Sequence, residues 1–360
     1  MRTMSARLLL VEEGPPAPHR RRLVDRLLDR AGQRGAGAPG RRRREAAVAA
    51  VLLATASVLW VGDDPYRLSL MVLSIAYALL GIGIYVPLVL GARLSVCYNA
   101  YFASGAYAVG LVATKTSLPL ALAIPIGMVA AALIGAAVSF ACRGLSGYHL
   151  AVATIGVAHV ADRVIIDRAD FTGGSTGIGG IPSLAPFGVT LTSSHVVVGG
   201  LVVLWLAACT VNRLRDSVWG FALRLQRDAP TAAEACGASV ESLRSVSVCL
   251  GAAIGSLAGV LLALVNRFII PESFAFLIVF TIIFVPILGG AATAWGSLIG
   301  APLVVWLNTS DAFGDISGAL AFGIGTLIVL VAAPAGCLGI LYTLSRNAST
   351  LLRRLWRATT

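Results

Sequence analysis

The chain has 360 residues, 57% of them hydrophobic and only 12% charged, with a mean hydropathy of +0.85. Soluble globular chains carry about a quarter charged residues, so a soluble core is excluded. The formal net charge of +11 does not point to nucleic acid, because twelve arginines precede residue 45 and most of the others fall in short segments between apolar runs.

Those apolar runs approach the length needed to cross about 30 Å of hydrocarbon. In lipid every backbone polar group must be satisfied within the protein, so runs rich in Leu, Ala, Val and Ile imply helices. The short alternating segments of a membrane β-barrel are absent. The expected class is all-α, a polytopic transmembrane helical bundle.

In chain order, residues 1–45 are rich in Arg, Pro and Gly and read as a disordered cytoplasmic tail, with a short surface helix over 25–30 as the alternative. Four arginines at 41–44 then abut an apolar run, which fits a retained start-transfer helix. An A-x-A pattern at 54–56 leaves signal-peptide cleavage open. Ten spans follow, over 46–62, 68–90, 94–114, 118–141, 148–167, 195–212, 245–266, 274–290, 296–309 and 317–341. The permease domain so defined runs over 46–345, and 346–360 forms a basic tail.

An inside N-terminus makes the connections alternate. The inner ones are residues 1–45, the turns at Arg93 and Arg143, 213–244, 291–295 and the tail from Arg346; they gather 23 of the 28 basic residues. The outer ones hold Arg67, Lys115, Arg168 and Arg267. Positive charge collects on the cytoplasmic side, so both termini are expected inside. Two connections are long enough to carry function. The outer one, 168–194, needs turns for its Gly, Pro and Ser; the inner one, 213–244, has helical stretches at 217–227 and 231–236, with Gly237 as a stop.

Gly251, Gly255 and Gly259 form one face of the seventh span, and Gly296 and Gly300 repeat the spacing on the ninth. Such spacing lets helices approach backbone to backbone in lipid, and packing within the chain is the plainer reading than a subunit interface. Pro125, Pro286 and Pro302 imply kinks. On the fifth span, His159, Asp162, Arg163 and Asp167 cluster, with His159 and Arg163 on one face. The cluster suits either a pathway lining or an interfacial ion pair. Six cysteines make no CxxC and no Cys/His ligand spacing, so no metal site is expected.

Four ordered stretches resemble the permeases of branched-chain amino acid ABC importers, over about 70–341. In the inner connection Ser217, Gly220, Ala222, Leu223, Arg224, Arg227, Ala232, Ala233, Glu234, Ala235 and Gly237 keep the register of the family's cytoplasmic segment. At 92–107, Leu94, Ser95, Ala100, Phe102, Gly105, Ala106 and Tyr107 agree. The outer TGGSTGIGGIP at 172–182 matches nearly throughout, and LGGAATAWGSLIGA at 288–301, with Pro334 and Gly336, resembles the C-terminal pattern. The departures are Arg93, Cys97 and Tyr98, where the family commonly has Gln, Gly and His, together with Asn99 and the polar-tipped Tyr101.

The resemblance implies an importer subunit driven by ATP hydrolysis on separate chains. Its implied assembly is a second homologous permease or a second copy, two ATP-binding cassette subunits and an extracytoplasmic solute-binding protein, in a bacterial cell membrane. ATP and magnesium belong to the ATPase subunits, and this chain is expected to hold no cofactor. Arg227, Asp228, Ala232, Ala233, Glu234 and Gly237 are then the ATPase-coupling residues. Thr172, Gly173, Gly174, Gly177, Gly180 and Pro182 form the binding-protein docking loop. Ser95, Tyr98, Asn99, Tyr101, His159 and Arg163 are the candidate substrate pathway. The solute is a branched-chain amino acid or a related small polar molecule, with urea or another small amide as an alternative.

Other classes fit less well. A coupled secondary transporter ordinarily needs carboxylates deep in its bundle, and outside the fifth span none falls in an expected membrane core. No ring-forming charge supports a channel filter, and no HExxH or GxSxG lies on a membrane face. The phosphate loop requires GxxxxGK[ST], but the one lysine, Lys115, follows Thr114. A membrane scaffold that passes no solute is the remaining alternative.

Overall fold

The computed structural model describes residues 64–116, 118–145, 147–183, 193–237, 239–309, 318–332 and 336–337. The expected span at 46–62, both tails and Pro334 lie outside these residues. Twelve α-helices occur among the described residues: α1 Pro65–Tyr85, α2 Tyr98–Lys115, α3 Ala123–Ala141, α4 Gly147–Asp167, α5 Ala169–Thr172, α6 Ser193–Arg215, α7 Val218–Asp228, α8 Pro230–Ala235, α9 Val240–Asn266, α10 Phe276–Gly289, α11 Gly296–Thr309 and α12 Gly318–Ala332. Each expected span from 68–90 to 296–309 overlaps one of the longer helices, and α12 covers the first part of the span expected over 317–341, of which 317, 333–335 and 338–341 lie outside the described residues, so the chain is a polytopic helical bundle. Five stretches are long and apolar enough to cross a membrane: Pro65–Leu90, Leu120–Ala141, Gly147–Asp167, Ser193–Arg215 and Val240–Asn266.

The first described helix starts with an Asp64 cap, whose carboxylate accepts from the Tyr66 N–H at 3.1 Å, and with Pro65 at its first position. It widens into a π-helical turn, Val86–Leu90, at Pro87. Proline has no N–H to return to the carbonyl four residues back, here that of Gly83. That carbonyl accepts instead from the Tyr98 hydroxyl at 3.0 Å. The second helix starts later than its span was expected to, at Tyr98 rather than 94, because residues 92–97 are not helical.

The core forms around α9, which packs on α1, α2, α3 and α6. Its glycine face is where the neighbours come closest. A Cβ on Gly251 would lie 2.5 Å from the Gly83 carbonyl oxygen, and one on Gly259 only 1.9 Å from that of Phe102. Gly105 of α2 answers from the other side, 1.9 Å from the Ser256 carbonyl oxygen. Between α10 and α11 the approach repeats, with Gly300 2.1 Å from the Val285 oxygen and Gly296 2.3 Å from that of Gly290. Lipid supplies no hydrophobic drive between helices, so this backbone contact supplies the packing.

Burial separates centre from periphery. The most apolar window of α1 is 78% buried, whereas that of α4 is 17% buried. Ile126, Val129 and Leu133 on α3, Val152, Val160 and Val164 on α4, and Val198, Val202 and Leu206 on α6 point outward. These outward stripes are formed from the same residue types that fill the core.

Candidate functional site

Three regions carry the residues that the sequence singles out. The first is a polar seam where the start of α2 meets α4. Val96 donates its N–H to the Thr154 hydroxyl at 3.1 Å, fixing the non-helical approach to α2 against α4. Ser95 Oγ and Cys97 Sγ lie 3.2 Å apart, and Cys97 donates to the Tyr101 hydroxyl at 3.2 Å. Asn99 Nδ2 donates to the Ala158 carbonyl at 3.0 Å and to Asp162 Oδ1 at 2.8 Å. The other carboxylate oxygen of Asp162 accepts from the Phe276 N–H at 3.3 Å, the first amide of α10. One carboxylate therefore joins α2, α4 and α10, and it sits where a helix N-terminus favours negative charge.

The structure does not gather the six expected pathway residues at one surface. Ser95, Tyr98, Asn99 and Tyr101 are buried inside the bundle. Ser95 borders a cavity of about 10 Å³, which it shares with Arg93, Ser139 and Thr154; that is room for about one water. His159 and Arg163 lie on the exposed face of α4, with the His159 ring 4.5 Å from that of Phe276. Asp162 carries the seam, and Thr154 was not anticipated at all. Its signal was a lone Thr on an apolar helix, which reads equally well as a hydroxyl returned to its own helix, and it does donate to the Leu150 carbonyl at 3.0 Å.

The second region is the connection between α6 and α9. Ser217 caps α7 by accepting from the Gly220 N–H at 3.4 Å. Gly220 has no room for a Cβ, which would fall 2.3 Å from the Arg215 carbonyl oxygen. Leu223 and Gln226 are buried on the bundle side, and Ala233 anchors α8. Pro230 opens α8, and Gly237 leaves it at φ +79°, in the left-handed region. Arg227 donates to the Val89 carbonyl at 2.7 Å, inside the π turn, and its Nε lies 3.4 Å from Asp228 Oδ1. Ala232, Glu234 and Gly237 are exposed. The Arg227–Val89 tie leaves no mark in the sequence, because its partner is a backbone oxygen 138 residues away.

At the same end, Arg93 replaces a residue that is commonly Gln in the resembling family, and it is buried. Its guanidinium donates to the Cys142 and Leu145 carbonyls at 3.4 and 3.2 Å, and lies 3.7 Å from Glu241 in the first turn of α9. Burial disfavours the charged guanidinium and lowers its pKa, and Glu241 opposes that. Arg93 thus closes off the carbonyls after α3. On α6, Asn212 Oδ1 accepts from the Ala294 N–H at 3.3 Å and holds the turn between α10 and α11.

The third region is the glycine-rich loop after α5. Thr172 Oγ1 lies 2.6 and 2.8 Å from the Ile165 and Arg168 carbonyl oxygens, which share its single proton, and accepts from the Gly174 N–H at 3.3 Å. Gly173, Gly174, Gly177 and Gly180 all have positive φ. A Cβ on Gly173 would lie 2.0 Å from the Gly177 oxygen, and one on Gly177 1.9 Å from that of Ile269. Ile178 and Ile269 exchange both backbone hydrogen bonds, at 3.0 and 2.9 Å, which pins the loop to the segment between α9 and α10. Pro182 follows as the loop leaves this pairing, and residues 184–192 lie outside the described residues. The glycine pattern therefore has a local cause, a folded loop that only glycine backbones allow.

Among the described residues no group of three or more His, Cys, Asp or Glu is placed to hold a metal ion. The family described as "Branched-chain amino acid transport system / permease component" matches residues 66–333. The chain is 27% identical over 257 residues to the high-affinity branched-chain amino acid transport system permease protein LivM of Escherichia coli K12, and 26% identical over 257 residues to that of Salmonella typhimurium. Each match covers 65% of this chain and 60% of the relative, so the chain spans about 60% of the length of these curated relatives. No solved structure matches.

Proposed function

Because the chain belongs to the branched-chain amino acid transport system permease family, we propose that it is the membrane-spanning permease subunit of an ABC importer for branched-chain amino acids or a related small polar solute. ATP hydrolysis is the work of partner subunits, two ATP-binding cassettes, and a second permease and an extracytoplasmic binding protein complete the assembly. The observation that carries the reading is the connection α7–α8. It presents the exposed side chains of Thr231, Ala232 and Glu234 while Arg227 ties its base to the π turn that ends α1.

The mechanism is alternating access. Closure of the ATPase dimer displaces α8, and Arg227 passes the displacement to Val89. The π turn is the compliant step in this route, because π turns interrupt the regular ladder of a helix and recur at functional sites. The distribution of arginines supports placing α7 and α8 on the cytoplasmic side and the glycine-rich loop outside, where the binding protein docks. Polar contacts along the route need only be weak, since a permeation site must release what it accepts. His159 and Arg163, exposed on the sparsely buried α4, are the pathway residues best placed to meet a solute where a second permease covers them.

The test is uptake into proteoliposomes holding the chain with its ATPases, second permease and binding protein. Leucine, isoleucine, valine and urea are offered in parallel. Uptake should require ATP and the binding protein together. Flux through this chain alone without ATP would overturn the assignment, and uptake of urea in place of amino acids would redirect the solute.

A further inference from the structure

Three faces of α7 differ in chemistry. Gly220, Leu223 and Gln226 turn into the bundle, Arg227 reaches back to the Val89 carbonyl, and Asp228 is exposed. The third face is apolar and uncovered: Val218 is 84% exposed, Phe221 61% and Trp219 40%. Val218, Trp219 and Ala222 also form one wall of a groove of about 330 Å³, whose other wall is Leu243 and Val246 from the first turns of α9. The hydroxyls of Ser239 and Ser242 stand at its border. Small-molecule clefts occupy about 300–1,000 Å³, so the groove is large enough for part of an acyl chain.

We propose that α7 is an in-plane membrane anchor whose apolar face enters the bilayer interface, and that the groove beside it seats a phospholipid acyl chain. Chain connectivity sets the depth. The preceding helix, Ser193–Arg215, is long and apolar enough to cross a membrane, and Val218 comes three residues after its end. The apolar wall continues along α9, a second such helix, through the exposed Val246 and Leu250. Arg213 and Arg215 close α6 just before the anchor, the charge that suits lipid phosphates. An apolar face with Trp and Phe beside Arg is the pattern of a helix lying in the interface. A soluble partner finds a better surface on α8, where Thr231 and Glu234 are exposed. The apolar face of α7 is then held by lipid, while α8, beyond the Arg227 tie, is free to follow a partner.

Lipid contact at this face holds whatever solute is carried and without ATP. Its test is a full chain with the native cysteines replaced, carrying one spin label by Val218→Cys, Phe221→Cys, Thr231→Cys or Glu234→Cys. The chain is reconstituted alone in nanodiscs of phosphatidylethanolamine and phosphatidylglycerol. Collision rates with oxygen, which partitions into lipid, and with a water-soluble nickel chelate are compared. The oxygen-to-nickel ratio should be several-fold higher at 218 and 221 than at 231 and 234. Equal ratios at all four positions would overturn the anchor. Shielding from both reagents at 218 and 221 would instead mean that a second copy covers the face. A loss of oxygen access there on adding the ATPase subunits would assign the face to them. As a check without cysteine replacement, lipids carrying a nitroxide high on the acyl chain should quench part of the tryptophan emission, and Trp219→Phe should remove that part. No difference between the two proteins would count against the groove as a lipid site.

Discussion

Gly105 and Gly259 face carbonyl oxygens that would stand 1.9 Å from an added Cβ, while a Cβ on Gly255 would meet Tyr98 at an ordinary 3.4 Å. These positions therefore differ in kind despite their common spacing. Gly259→Val is expected to destabilise by about 1–3 kcal/mol or more, as overpacking does, and Gly255→Ala to be close to neutral. Thermal unfolding of the purified protein in detergent reads the contrast. The Asn99–Asp162 hydrogen bond offers a second residue-level test. Asn99→Ala leaves a carboxylate with one partner fewer, and Asp162→Ala also frees the first amide of α10. A double-mutant cycle should give a coupling of about 0.6 kcal/mol, the average for hydrogen bonds between membrane helices, and no more than about 1.7 kcal/mol. A coupling of zero would show that the contact carries no weight. In the sequence, Asn99 and Asp162 were visible as unusual residues for a span, but not as a pair, because 63 positions separate them.

Among the elements, the π turn and the connection α7–α8 act together. Pro87 frees the Gly83 carbonyl, Tyr98 satisfies it, and Arg227 holds the far end of the turn at Val89. Tyr98 is thus accounted for by the kink it repairs. A charged hydrogen bond such as that of Arg227 contributes about 1.5–3 kcal/mol, so Arg227→Ala should loosen α7 and lower uptake by roughly tenfold or more while assembly persists; each 1.4 kcal/mol corresponds to about a factor of ten. Glu234→Arg, at an exposed position of α8, should leave the fold unchanged and uncouple ATP hydrolysis from uptake. Normal coupling in that variant would remove α8 from the ATPase interface. Both helices were legible beforehand as stretches over 217–227 and 231–236, the second stopped by Gly237 through local geometry alone. The tie to Val89 was not, since a backbone acceptor leaves no mark in composition.

At the largest scale, the described helices form a buried centre, α1, α2 and α9, around which α3, α4 and α6 keep apolar faces outward. The second helix departs from the hydropathy of its neighbours because Tyr98, Asn99, Tyr101 and Ser104 lie on it, and it tolerates them because protein rather than lipid surrounds it. The proposed orientation has a direct measurement. Cys236 is an exposed thiol beside α8, so a membrane-impermeant maleimide should label it in inside-out vesicles and not in right-side-out ones. Labelling of Cys236 from the outside would invert the topology and move α7 and α8 away from any ATPase.

Composition and the spacing of apolar runs determined, without coordinates, that the chain is a helical membrane protein and where most of its helices lie. Those properties depend on neighbours within one helix, and lipid leaves the backbone no other choice. The tertiary structure alone decided which polar residues meet: Asp162 with Asn99 and Phe276, Arg93 with Glu241 and two carbonyls, Arg227 with Val89. It also separated the buried Ser95, Tyr98, Asn99 and Tyr101 from the exposed His159 and Arg163. The physical reason is that apolar faces look alike to a sequence whether they meet lipid or protein, so only packing distinguishes an inner polar residue from an outer one.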